Sequence, residues 1–336
     1  MRGIPLKLFL CYFLLPLLVF GIALISLCVG EIPLSPGKMI EYLNTPESME
    51  YGVLHFIRIP RTLLAIAIGG SLSLSGVILQ GIYRNPLVEP YTLGISGGAS
   101  LGITFAIISG LFVLTPWALP ASGFAGAFVT IFLVYYLCLK QGSIRVDRML
   151  LIGVMCSFIS SSLVMFLMSI TAVENIQGII FWTMGSLNES DPYLIRGMVI
   201  VAFMGLFFSY LFVAPLNALR LGEEKARHLG INTQIVIRLL FLLTSLLTGC
   251  CIAVGGVIGF VGLIIPHITR LWAGNDYRIL LAASFWSGGI FMMFCDLLAR
   301  TITAPNELPI GVITGILGGF TFILILSRPK LKSKLF

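Results

Sequence analysis

The chain has 336 residues, of which 58% are hydrophobic and only 10% charged, and its mean hydropathy is +1.03. That balance excludes a soluble domain with a polar surface and leaves a polytopic membrane protein. Its formal charge of +7 sits in the loops, where it reports topology and is not a nucleic-acid footprint.

At ~20 residues per helical span of a ~30 Å hydrocarbon core, the apolar runs predict ten helices. They lie near 8–29, 60–82, 91–112, 117–139, 149–170, 194–214, 235–254, 257–272, 279–298 and 309–327. The runs are continuous, not alternating, and lipid requires backbone polar groups to be satisfied within the segment, so helices are predicted and not a barrel. The first run, after Arg2 and Lys7, is long enough to be a retained helix and not a signal peptide. An even number of spans puts both termini on one side, and Arg328, Lys330, Lys332 and Lys334 assign that side to the cytoplasm. With this orientation sixteen of the 21 Lys and Arg residues are cytoplasmic, and only Lys38, Arg58, Arg61, Arg196 and Arg300 are not.

The second predicted span opens with Arg58 and Arg61, in RIPR, and closes on RNPLVEP (84–90). Arginines near a span end often snorkel to the interface. Three of them on the outer side, Arg58, Arg61 and Arg300, go against the charge rule and ask for an acidic partner. Asn85 and Pro86 stop the second helix, while Pro90 suits the first turn of the third. Asn85, Pro86 and Leu87 are thereby placed at the inner mouth of any pore between these helices, as candidates for a cytoplasmic gate.

Glycines cluster in the second span (Gly69, Gly70, Gly76, Gly81), the third (Gly94, Gly97, Gly98, Gly102) and the eighth (Gly255, Gly256, Gly259, Gly262, with Pro266). Close helix packing explains most of them. Around Gly255 to Pro266 an interrupted helix lining a pathway is the alternative, because irregular backbone at membrane depth survives only against protein or a water-filled cavity. A weak echo between SGVILQGIYRNP (75–86) and GGVIGFVGLIIP (255–266) hints at two related halves.

Between the sixth and seventh spans, LNALRLGEEKARHLGINT (216–233) is the longest polar cytoplasmic segment. Leu216, Leu219, Ala226 and Leu229 trace a short apolar face. Gly222 breaks the period, Glu223 and Glu224 open a second helix, and Gly230 ends it. Two short helices lying flat beneath the membrane are predicted, with a face that suits a soluble partner better than lipid. Near the end of the ninth span Asp296 and Arg300 stand one turn apart, spaced for an ion pair.

Almost no ionisable residue lies deep in the spans, where an isolated charge costs about 3 kcal/mol on insertion scales. A proton or ion relay therefore has nothing to run on, which weighs against an ion-coupled secondary transporter. His267, in PHITR, is a lone histidine after a proline and reads as a structural hydrogen-bonding group. An intramembrane enzyme at that residue lacks a nucleophile or second ligand nearby in sequence. The seven cysteines have no metal-ligand spacing and read as small packing residues. The chain contains no G-x-x-x-x-G-K-[ST] phosphate loop, so ATP, if it drives this protein, is bound by another subunit.

RIPR (58–61), SGVILQ with RNPLVEP (75–90), LGISGGA (93–99), LNALRLGEEKARHLG (216–230), GGVIGFVGLIIPHITR (255–270), DLLAR (296–300) and NELPIGVITGILGG (306–319) form a set specific in its order and spacing. From Arg58 to about Ile325 the chain resembles the FecCD/BtuC-like permeases, the membrane subunits of type II ATP-binding-cassette importers for iron siderophores, haem and cobalamin. The resemblance implies one all-α permease domain over 1–336, with ten transmembrane helices in the cytoplasmic (inner) membrane. It implies a second copy of the chain, or a homologous permease, across a central pathway. Two cytoplasmic ATPase subunits holding ATP and Mg, and an extracytoplasmic substrate-binding protein, complete the implied assembly. The permease itself then has no cofactor, no metal and no catalysis of its own.

The resemblance also assigns roles. Leu216, Leu219, Leu221, Gly222, Glu223, Ala226, Leu229 and Gly230 match coupling helices that enter a cleft of the ATPase, and Arg58, Arg61 and Arg300 match arginines that receive carboxylates from the binding protein. Two positions depart from the family pattern. Val88 replaces the common alanine, and Gly318-Gly319-Phe320 replaces Gly-Ala-Pro, a change expected to alter packing of the last helix. A ferric siderophore is the first expectation for cargo, because most of the family carries one, followed by cobalamin and haem. Selectivity is expected in the external protein, because a pathway that releases its cargo binds it weakly.

Overall fold

A computed structural model describes residues 4–30, 32–139 and 146–327 of the chain, and these residues contain helices and connecting turns but no strand. Among the described residues seven helices are long and apolar enough to cross a membrane: α1 (Lys7–Cys28), α2 (Ile59–Tyr83, the main part of a helical run from Met49), α4 (Ala118–Leu139), α5 (Val146–Ile170), α7 (Pro192–Tyr210), α10 (Thr233–Gly255) and α12 (Tyr277–Thr301). The other three expected spans are shorter apolar helices, α3 (Ile95–Ile108), α11 (Val261–Ala273) and α13 (Ile310–Ser327). Two short helices, α8 (Val213–Leu219) and α9 (Glu223–His228), fill the polar segment before α10. One further helix, α6 (Val173–Thr183), occupies a stretch expected to be outer loop. Arg2, Lys140, Arg145, Arg328, Lys330, Lys332 and Lys334, which entered the charge count for orientation, lie outside the described residues.

The bundle is built around α2, which is buried on nearly every side and packs against α12, α10, α7 and α11. Its small residues make this possible. A Cβ on Gly69 would stand 2.3 Å from the Gly288 carbonyl oxygen of α12, and one on Gly76 would stand 1.9 Å from the Gly262 oxygen of α11. Where such backbones touch, van der Waals contact replaces the hydrophobic drive that lipid cannot supply. The glycines of α3 serve in the same way against α4 and α5. In contrast α1 and α5 are mostly uncovered in the single chain, and Leu151, Phe158, Ile159 and Phe166 of α5 face outward.

Two irregular stretches lie against each other within the bundle. After α10 ends, Gly256 to Phe260 is non-helical. Gly256 has φ +70°, and a Cβ there would meet the Trp182 carbonyl oxygen at 2.4 Å, so both conformation and space require glycine. The interrupted-helix reading of Gly255 to Pro266 thus describes the backbone. Two of its freed amides are satisfied by the chain that follows α2. The Ile258 amide donates to the Tyr91 hydroxyl (3.1 Å) and the Phe260 amide to Glu89 Oε2 (3.3 Å). The second stretch, 184–188, returns past the first, with the Ser186 amide donating to the Gly255 carbonyl at 2.8 Å. Buried partners of this kind are what permit non-helical backbone away from water.

Phe320 does not disturb the last helix. α13 runs unbroken through it, and the ring is 65% exposed on the outside of the chain. Gly318, two residues earlier, makes the internal contact, against Phe260 and Ile264.

Candidate functional site

At the end of the bundle where α2 begins, five charged side chains and one amide converge. Arg61 is 5% exposed. Its Nη2 lies 2.8 Å from Asp296 Oδ1, its Nη1 donates to both Glu307 oxygens at 2.7 Å, and it also reaches Asn188 Oδ1. Asn188 Nδ2 in turn donates to Glu307 Oε2 at 3.1 Å. Arg300, 7% exposed, pairs with Asp296 across one helical turn (Nε to Oδ2, 3.0 Å) and donates through Nη2 to Ser26 Oγ at 2.9 Å. Arg58, 3% exposed, is bound differently. Its guanidinium donates to the carbonyls of Leu27 (2.7 Å), Cys28 (3.2 Å) and Ile32, closing the C-terminal end of α1. A cation there satisfies orphan carbonyls and meets the negative end of the helix dipole.

The three arginines expected to wait for an external carboxylate are therefore already buried and bonded within the chain. The side chains that hold Arg61 and Arg300, among them Asp296, Asn188 and Glu307, come from α12 and from two connecting turns. Burial raises the Glu307 carboxyl, but the hydrogen bonds and charge of Arg61 outweigh it and hold the group below the usual glutamate range. Arg58, Arg61 and Arg300 against Asp296 and Glu307 leave one positive charge over. Beside them Arg61, Asn188, Glu307 and Leu308 line a cavity of about 300 Å³, large enough to admit a side chain.

At the opposite end, Gly222 (φ +115°) separates α8 from α9, and Gly230 (φ +81°) follows α9, where the sequence placed the breaks. The apolar face is another matter. Leu216, Leu219 and Ala226 are buried in the main core against the ends of the long helices, so they are not free for a partner as expected. Helices of seven and six residues cannot hold themselves and need this anchorage. What α8 and α9 leave uncovered is Leu221 (58% exposed) and Leu229 (64%), with Arg220, Glu224, Lys225 and His228 around them. Glu223 pairs with Arg227 at 2.5 Å, and both reach Thr233.

The turn after α2 stands next to this pair. Arg84 takes φ +48°, Asn85 Oδ1 accepts from the Leu87 amide at 2.9 Å, and Leu87 projects outward while Asn85 and Pro86 are half-buried. Arg84 Nη1 is 3.6 Å from where a Cβ on Gly222 would lie, and Arg84, Asp147, Leu219, Glu223 and Arg227 line one cavity of about 280 Å³. The gate candidates and the coupling candidates thus share one corner of the molecule. His267 is fully buried on α11, edge-on to Phe322, with neither ring nitrogen bonded, contrary to the hydrogen-bonding role expected of it.

A bundle of apolar helices with a glycine-packed centre, a broken helix beside it and a short helix pair folded against one end is the architecture of a polytopic membrane protein. The chain matches the FecCD transport family over residues 17–328, and it belongs to that family. It is 36% identical over 316 residues to the vitamin B12 import system permease protein BtuC of Klebsiella pneumoniae, covering 94% of this chain and 93% of that one. To the hemin transport system permease protein HmuU of Yersinia pestis it is 36% identical over 330 residues, 95% of each chain. Its fold matches a solved inward-facing metal-chelate type ABC transporter with a TM-score of 0.85 at 32% identity, over 94% of this chain and 98% of that one. The chain is accordingly a transport subunit of an ABC importer, whose ATPase is a separate subunit.

Proposed function

We propose that this chain is the pathway through which a type II ABC importer carries a ferric siderophore or similar metal chelate across the cytoplasmic membrane. Cobalamin and haem are the alternatives, supported by the relatives named for them. The observation that carries the reading is the pairing of an end-to-end family match with the α8–α9 pair, anchored by Leu216, Leu219 and Ala226 and presenting Leu221 and Leu229 outward. In this reading two copies of the chain enclose the pathway, both termini face the cytoplasm, and Leu221 and Leu229 enter an ATPase subunit. Asn85, Pro86 and Leu87 gate the inner mouth, and Gly222, Glu223 and Gly230 set the shape of the coupling element.

Arg58, Arg61 and Arg300 receive a substrate-binding protein by accepting one acidic side chain beside the cluster, whose surplus positive charge and adjoining cavity favour it. The overall test is reconstitution with an ATPase subunit and a binding protein from the same organism, followed by ATP-dependent uptake of ferrichrome, cyanocobalamin or hemin into vesicles. Uptake of a ferric chelate alone supports the first reading, and uptake of one of the others replaces it. Failure of any ATPase subunit to co-purify overturns the importer assignment. Docking is tested with Arg300→Lys, which keeps the charge beside Asp296 but loses the planar fork. Stimulation by the binding protein is expected to fall at least several-fold with basal hydrolysis retained, and unchanged stimulation removes Arg300 from the docking site.

A further inference from the structure

Pro266 lies inside α11 and has no N–H, so the Gly262 carbonyl, four residues earlier, has lost its helical donor. Gln80, buried on α2, supplies one. Its Nε2 donates to the Gly262 carbonyl at 3.2 Å and to the Leu263 carbonyl at 3.4 Å. The other end of the same amide accepts from Arg270 Nη1, one helical turn below Pro266. The buried Tyr277 hydroxyl packs against Gly81, the neighbour of Gln80 on α2, so closely that a Cβ there would stand 2.2 Å from it. Tyr277 begins α12, and its amide donates to Asn217 Oδ1 (3.2 Å) while Asn217 Nδ2 donates to Asp276 Oδ1 (3.1 Å). Asn217 belongs to α8. A series of close contacts, polar except where Tyr277 packs on Gly81, therefore joins the α8 helix to the broken helix, along a surface where α2 and α11 touch backbone to backbone.

We propose that Gln80, Arg270 and Tyr277 are positioning residues for transport, transmitting displacement of α8 through the α11–α12 turn to the Gly256–Phe260 break. This rests on the reading of α8 and α9 as the ATPase-facing element. A packed apolar contact can slide, whereas Gln80 answers a carbonyl that has no other donor in its helix, so the start of α11 is held to α2 and follows Arg270. The amide is suited to the task because it gives at one end and accepts at the other.

The test uses the assembled complex with its ATPase subunits, and compares backbone hydrogen exchange over residues 255–263 with no nucleotide and after trapping with ATP and vanadate. The native complex is expected to show a trapping-dependent change in this segment. Gln80→Met keeps the volume but neither hydrogen bond, and Tyr277→Phe removes one hydroxyl. Each is expected to shrink that change at least threefold with the ATPase subunits still bound and hydrolysing ATP. The double variant Gln80→Met with Asn217→Ala should be no worse than the more severe single one, as links of one series behave. A full trapping response in both Gln80→Met and Tyr277→Phe, or multiplicative effects in the double variant, overturns the relay while leaving the importer assignment standing. No trapping response in the native complex overturns it as well. Loss of ATPase binding from the native chain would instead remove the underlying reading.

Discussion

Gly76 and Glu307 show how much individual side chains decide here. At Gly76 a single methyl group would sit 1.9 Å from a carbonyl oxygen of α11, and backbone cannot retreat as a flexible side chain does. Gly76→Ala should cost at least the ~1–3 kcal/mol typical of overpacked cores, seen as a lowered melting temperature in detergent. Gly197→Ala, with open space around its Cβ, should leave it unchanged. Equal effects would show that α2 and α11 do not touch. Glu307 carries a pH dependence. Its carboxyl is held below the ordinary value by Arg61 against the opposing effect of burial, so the folded form binds its proton less readily than the unfolded chain. The stabilisation is therefore present above the unfolded value of ~4.3 and is lost as pH falls through the lower folded value. Melting temperature should decline more steeply below about pH 4 for the native protein than for Glu307→Gln, and parallel profiles would show that the pair contributes nothing. The same geometry changes how docking can be probed. Arg61→Glu would set a third carboxylate against Asp296 and Glu307, so it should abolish folded protein and say nothing about a partner.

The α8–α9 pair illustrates both what an element's sequence discloses and what it hides. Replacing Leu219 with Asp places a charge in the core and should prevent folding at a cost of several kcal/mol, whereas Leu229→Asp, on the exposed side, should give a folded permease that no longer retains ATPase subunits. Co-purification after size-exclusion distinguishes the two, and normal ATPase retention by Leu229→Asp would exclude the element from coupling. The breaks at Gly222 and Gly230 were legible because glycine marks positive φ, and the helical period was legible too. Which way the apolar stripe turns was not, since the same stripe serves an external partner or the protein's own core. The long helices follow a similar rule. Their length follows from hydropathy, but α1 and α2 are both strongly apolar, and only the Gly and Ser content of α2 signals that it lies at the centre. α6 escaped notice because Glu174, Asn175 and Gln177 make its segment resemble a loop. The gap in hydrogen bonding at Gly262 could be deduced from Pro266 alone, whereas its remedy, Gln80, lies 182 residues away and no local pattern points to it. At the cluster around Arg61 the arginines stood out as cations on the side expected to be outer, while Asp296, Asn188 and Glu307 converge on Arg61 only through the packing of α2 and α12 and the turns beside them.

For the molecule as a whole, the clusters at the two ends of α2 give orientation a structural meaning beyond the charge count. Arg58, Arg61 and Arg300 are neutralised largely by internal carbonyls and carboxylates, so they are poor topogenic signals despite their number. Arg220 and Lys225, at the other end, stand in the open near the turn after α2, as positive charge on a cytoplasmic face does. Setting the paired cations aside leaves the proposed orientation, with α8 and α9 in the cytoplasm and residues 39–52 outside, resting on these open cations. The positions for testing this follow from exposure. Thr233 is buried and bonded to Arg227 and Glu223, so a cysteine there would resist any reagent from either side. Glu47 and Lys225 are both exposed, and a cysteine at each can be treated in intact cells with a membrane-impermeant maleimide. Labelling of Glu47→Cys at once, with Lys225→Cys labelled only after permeabilisation, is the expected pattern. The reverse pattern would invert the molecule, turn the coupling pair outward and end its assignment to an ATPase.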